Sequence, residues 1–176
     1  EFEPTDFIQV NGALNRAMVS RAVGFLDPQP QERVLDLFCG LGNFSLPLAR
    51  RAGEVLGVEG ESGLVARAVQ NAARHGFTHV SYLTADLAAP ALDAPWATRK
   101  YDRVLLDPPR AGAREVLPVV GASGAGRVVY ISCHPGSLAR DAGILVRDHG
   151  FRLVAAGVMD MFPHTTHVEA MAVFER

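Results

Sequence analysis

Apolar and polar positions follow two rhythms along this chain, one helical and one extended. From 12 to 26 (GALNRAMVSRAVGFL) the apolar residues Leu14, Met18, Ala22, Phe25 and Leu26 return at helical spacing, which gathers them on one face. The segment DPQPQER at 27–33 then breaks the pattern with two prolines. Short apolar runs of strand length follow: VLDLF at 34–38, VLGVE at 55–59, VSYLTAD at 80–86, DRVLLD at 102–107 and RVVYIS at 127–132. Between them lie segments suited to helices: SLPLARRA, ESGLVARAVQNAARHG with Gly76 as its stop, and AREVLPVVGA. SLARDAGILVRDHG predicts one more helix, and FRLVAAGVM and EAMAVFE two further strands.

Strands that alternate with helices imply an α/β fold, a mostly parallel sheet covered on both faces. Right-handed crossovers then put ligands at the carboxyl ends of the strands, where the strand order reverses. The length of 176 residues, 48% of them hydrophobic and 20% charged, suits one domain with a core of its own. The net charge of −2 excludes a chain that grips nucleic acid by electrostatics alone. An RNA partner would need a local patch or another domain. No run of about 18 apolar residues is present to span a bilayer, and EFEPTDFIQVN has neither the basic nor the apolar region of a signal peptide. A cytoplasmic monomer is expected. The sequence begins without Met on a polar lead-in, so the expectation is a piece of a longer protein. Cys39 and Cys133, its two cysteines, are too few for a disulfide scaffold or a thiolate metal site.

The segment VLDLFCGLGNFSLPLA places Gly40 and Gly42 between a strand and a helix, a turn that lets backbone approach a ligand closely. A dinucleotide fingerprint would need a third glycine where Ser45 stands, which weakens a nicotinamide reading. Glu59 follows the first glycine by about 20 residues, the distance of a carboxylate that binds ribose hydroxyls. Asp86 and Asp107 close the next two strands. Three acids on one sheet edge repel a pyrophosphate and suit S-adenosylmethionine, with its free ribose hydroxyls and positive centre. The plainer alternative is that each acid caps the following helix.

DPPR at 107–110 lies where such an enzyme meets its substrate. Methylases of exocyclic amino groups carry an aromatic after the prolines to stack on a flipped base; Arg110 stands here, which favours a ring-carbon target. Carbon 5 of a pyrimidine becomes nucleophilic only after addition at carbon 6, and a thiolate adds best. Cys133, at the end of the fifth strand and followed by Pro135, is the candidate nucleophile; a small buried hydrophobe is its ordinary alternative. Loss of the carbon-5 proton then demands a general base, for which Glu169, opening the last strand after a polar turn, is the candidate. Cys39 reads as structural. His164 and His167 with His134 suggest a metal, but no third convincing ligand accompanies the pair, and turn or substrate contacts fit them better.

Together FIQVN, VLDLFCGLGNFSLPLA, VEG, LLDPPRAGA, YISCHPGSLARD and DMFPHTTHVEAM resemble the RNA uracil-5-methyltransferase family from Phe7 to Phe174, on the side of its bacterial members that act on 23S rRNA, with tRNA as second target. The resemblance implies a Rossmann-like class I methyltransferase fold with a seven-stranded sheet, Cys133 as nucleophile on carbon 6 and Glu169 as base. It also implies that Gln9, Phe38, Asn43, Glu59, Asp86 and Asp107 contact S-adenosylmethionine, with Asp107 reaching towards the target uracil. Where the family reads Ser-Cys-Asn-Pro, this chain has Ser132-Cys133-His134-Pro135. Full-length relatives add an amino-terminal RNA-binding barrel and an iron-sulfur cysteine cluster, neither of which is matched here. Residues 1–176 are therefore expected to be a catalytic domain that binds cofactor but has weakened RNA binding and little turnover alone. Cytosine carbon-5 methylation and a non-catalytic RNA-binding module are the alternatives.

Overall fold

The computed structural model describes residues 11–160 and 168–176. Helix α1 (Gly12–Leu26) starts at Asn11, whose side chain accepts a hydrogen bond from the Leu14 amide at 3.2 Å, an N-cap in the usual sense. It is followed by β1 (Arg33–Leu37), α2 (Ser45–Ala49), β2 (Glu54–Glu59), α3 (Ser62–Arg74) and β3 (Val80–Thr84). The second half holds α4 (Pro95–Thr98), β4 (Arg103–Leu106), α5 (Leu117–Ala122), β5 (Arg127–Ser132), α6 (Pro135–Arg147), β6 (Arg152–Met159) and β7 (Glu169–Glu175).

The strands form one seven-stranded sheet in the order β3-β2-β1-β4-β5-β7-β6. β1 to β5 are parallel, and β7 runs antiparallel to both β5 and β6. The mostly parallel seven-stranded sheet expected from the sequence is thus present. Strand parity divides the core in two. Leu35, Leu37, Val104, Leu106, Val128 and Tyr130 face α4, α5 and α6, whereas Val34, Leu105, Val129 and Ile131 face α1 and α2. Full burial of each such aliphatic side chain contributes roughly 1.5–3 kcal/mol, so continuous apolar runs are what a sheet covered on both faces requires.

Several boundaries differ from the sequence expectation for local reasons. SLPLARRA ends early, because after Ala49 the chain turns towards β2. AREVLPVVGA divides into a 3-10 turn (Arg114–Val116) and α5, with Pro118 in the first turn of the helix, where its missing N–H costs nothing. Helix α6 begins at Pro135 rather than Ser137, because His134 caps it: its Nδ1 accepts from the Ser137 amide at 3.1 Å. Strand β3 is an edge strand that stops at Thr84, two residues before Asp86. The short α4, whose Trp96 packs into the core, has no counterpart in the expected elements. No described helix is long and apolar enough to cross a membrane.

Candidate active site

The order of the sheet reverses between β1 and β4, and in such sheets a crevice opens beyond the carboxyl ends of those strands. A cavity of about 980 Å³ lies there. Phe38, the Gly40–Gly42 turn and Asn43 enter it after β1, Glu59 at the end of β2, Asp107 to Arg110 after β4 and Cys133 after β5. Glu169 reaches the same rim because β7 is antiparallel. Ser132 pairs with Ala170, so the first residue of β7 comes opposite the residue that follows β5.

The cofactor end is built around Glu59. Its Oε2 accepts from the Gly40 amide at 3.1 Å, and its Oε1 from the amides of Gly60 (2.7 Å) and Glu61 (3.1 Å). The carboxylate therefore fixes the glycine turn while facing the cavity. Gly42 has φ +89°, and a Cβ there would stand 2.6 Å from the Tyr82 hydroxyl, so backbone conformation and packing both require glycine. Asn43 exchanges two amide hydrogen bonds with Asn15 of α1, at 3.0 and 3.1 Å. Asn71 of α3 donates to the Leu41 carbonyl at 3.3 Å. Nothing in the apolar spacing of α1 marks Asn15 as a partner of the turn.

Asp86 is not among the residues lining this cavity. Its Oδ1 accepts from the amides of Ala88 and Ala89, at 2.8 and 3.2 Å, a local turn contact and not a cap of the next helix, which starts only at Pro95. Gln9 lies outside the described residues, as do His164 and His167. Among the described residues no cluster of three or more His, Cys, Asp or Glu could hold a metal ion.

Both cysteines are free, and they differ in setting. Cys39 is buried, and burial, with Asp36 and Glu59 nearby, pushes its thiol far up. Cys133 is partly exposed and lines the cavity. Burial raises its thiol as well, Glu169 and Asp107 add to the rise, and the Arg110 guanidinium opposes it. Burial also raises Glu169, which is 4% exposed, and so brings this carboxylate closer to a useful base strength at neutral pH. Asp107 is pushed up to about 7 by burial, with Glu169 and Asp36 adding charge repulsion.

Asp36, within the apolar run of β1, was not singled out by the sequence pattern. It is fully buried, accepts from the Ser45 hydroxyl through Oδ2, and its Oδ1 has no protein partner. Burial pushes it up to about 7, opposed by the Ser45 bond and assisted by Glu59.

A stability consequence follows for Asp107. Its folded value exceeds the ordinary 3.8, so the folded state holds the proton more tightly. Its favourable contribution is complete below about pH 4 and is lost as pH rises through about 7. Asp107→Asn is expected to leave thermal stability unchanged at pH 4 and to raise it at pH 8, by on the order of 1–2 kcal/mol after discounting for partial solvent exposure. Melting curves across that range check this.

The model of the family described as tRNA (Uracil-5-)-methyltransferase matches residues 1–176. Over 175 residues the chain is 63% identical to a 23S rRNA (uracil(1939)-C(5))-methyltransferase RlmD of Alkalilimnicola ehrlichii, covering 99% of this chain and 39% of that protein. It is 62% identical to the protein of the same name in Methylococcus capsulatus, again over 99% of this chain and 40% of the relative. The crystal structure of Pyrococcus abyssi tRNA (uracil-54, C5)-methyltransferase in complex with S-adenosyl-L-homocysteine superposes with a TM-score of 0.83 at 27% identity, over 98% of this chain and 41% of that one. The chain thus spans about two fifths of the length of the curated relatives it matches.

Proposed function

The chain belongs to the tRNA (uracil-5-)-methyltransferase family, and on that premise we propose that it is the catalytic domain of an enzyme that methylates carbon 5 of a uridine in 23S rRNA. The observation that carries this reading is a single cavity lined by Cys133 and Glu169 at one end and by Glu59, Asn43 and the glycine turn at the other. The relatives named above, which act on 23S rRNA, support the choice of RNA.

The residues present fit S-adenosylmethionine. Glu59 offers carboxylate oxygens to ribose hydroxyls while it holds the Gly40 amide, and the turn at Gly42 lets the backbone close on a ligand. Phe38, Asn43 and Asp107 line the remaining approach, and Gln9 is assigned to the same cofactor by family resemblance. Bound there, the cofactor supplies an electrophilic methyl group.

Cys133 performs the activating step. Its partly exposed thiol gives its proton to solvent, and the sulfur forms a bond to carbon 6 of the uracil; the carbon 5–carbon 6 π pair moves towards O4 as an enolate. Arg110 favours the thiolate, whereas the charges of Glu169 and Asp107 resist it. Carbon 5 then takes the methyl group. Glu169 accepts the carbon-5 proton, the ring double bond re-forms, and the bond to Cys133 breaks to return the thiolate.

The rest of the longer protein supplies RNA binding in this reading, consistent with a net charge of −2. We further infer that it acts as a cytoplasmic monomer. Mapping 5-methyluridine in ribosomal and transfer RNA from cells lacking the full-length protein tests the assignment. Loss of one 23S rRNA site is the expected result; loss confined to tRNA would move the substrate, and no loss would refute the activity.

A further inference from the structure

The loop after β4 carries Asp107 and Arg110, and the loop after β5 carries Cys133; the β4–β5 ladder sets their starting points but ends at Leu106 and Tyr130. A buried carboxylate links them. Asp141, in the second turn of α6, is fully buried. Its Oδ2 accepts from the Tyr130 hydroxyl of β5 at 2.6 Å and from the Ala113 amide at 2.7 Å. Its Oδ1 receives Nε and Nη2 of Arg140, at 2.8 and 2.7 Å. Arg140 Nη2 in turn donates to the Ala111 carbonyl at 2.8 Å. Between these two contacts sits Gly112, at φ +88°, where a Cβ would stand 2.5 Å from both Arg140 Nη2 and Asp141 Oδ2. Residues 111–113 are therefore seated on α6, the helix that begins two residues after Cys133.

We propose that Asp141 is a positioning residue: by seating residues 111–113 on α6 it fixes Arg110, which directly precedes them, relative to the Cys133 sulfur. Four donors fill the acceptor sites of this carboxylate, so no capacity is left for substrate, and its effect on the reaction is through geometry. An asparagine would keep one acceptor oxygen but turn an amide donor towards a guanidinium or a backbone N–H. The inference rests on the reading of Cys133 as nucleophile.

The test measures how fast the full-length protein forms a covalent adduct with 5-fluorouridine RNA at saturating S-adenosylmethionine, alongside S-adenosylhomocysteine affinity by calorimetry. In Asp141→Asn the adduct forms about 10- to 100-fold more slowly, the scale of misplacing reacting groups by about an ångström. Cofactor affinity stays within about twofold, because the Glu59 half of the cavity is held independently and the Asp107 amide is held by the Leu37 carbonyl of β1 at 3.3 Å. Gly112→Ala pushes the loop off the same seat while residue 141 stays aspartate, and gives the same split; it decides the matter if Asp141→Asn does not fold. Equal adduct rates in the folded variants and the unaltered protein would overturn the proposal, as would parallel losses of rate and cofactor affinity. No adduct in the unaltered protein would instead refute the Cys133 reading, and this inference with it.

Discussion

Replacing Cys133 with alanine in the full-length protein is expected to lower turnover by about four orders of magnitude or more, as removal of a covalent nucleophile does elsewhere. S-adenosylhomocysteine binding should be unchanged. The separation follows from the layout of the cavity: Glu59 and the glycine turn are fastened to each other and to α1 and α3, and none of those bonds involves Cys133. Cys133→Ser should not restore activity, because an alcohol is far less ionised than a thiol at the same pH. Parallel methyl-transfer assays and cofactor titrations check both statements. Residual turnover within about tenfold of the unaltered protein would remove Cys133 from the covalent role.

Glu169→Gln should separate the two halves of the reaction. The Glu169 charge is among the influences that raise the Cys133 thiol, so its removal favours the thiolate and does not slow addition to carbon 6. The carbon-5 proton then has no acceptor, and release of the methylated ring falls by about 10²- to 10⁴-fold. A methylated covalent intermediate therefore accumulates on ordinary uridine RNA, where the unaltered protein shows none. Stability moves the other way. Burial raises the Glu169 carboxyl, so its contribution is lost as pH rises, and the glutamine variant should melt higher than the unaltered protein above neutral pH. Gel-shift assays of denatured complexes and melting curves at two pH values read the two effects separately.

The centre of the sheet was legible because its strands are buried on both faces. RVVYIS and VLDLF contain too few polar residues to lie anywhere else, and the Gly40–Gly42 turn with Glu59 beyond it marks the cofactor edge. Less accessible was whatever depends on how distant segments meet. Cys133 and Glu169 are brought opposite each other only because β7 runs antiparallel to β5, an orientation that apolar spacing does not encode. Asp141, flanked by Arg140 in SLARD, has the look of a solvent-facing helical position; its burial comes from the loop after β4 settling on that helix. Asn15 looks equally ordinary until Asn43 is placed against it. Asp86 makes a local turn contact with the Ala88 and Ala89 amides, a use that its place at a strand end does not reveal. At His134 the departure from the family pattern has a physical account: its Nδ1 supplies the helix cap that an asparagine side chain would supply.

The central claim is that the Cys133 sulfur bonds to the pyrimidine ring during methyl transfer. Intact-mass and peptide-mapping spectrometry of the full-length protein, incubated with S-adenosylmethionine and RNA carrying 5-fluorouridine at the target, examines that bond directly. Fluorine at carbon 5 cannot leave as a proton does, so the predicted product is one RNA fragment, already methylated, attached to the peptide that contains Cys133 and absent without the cofactor. A protein that binds this RNA but forms no adduct, or an adduct mapped to Cys39, would contradict the account.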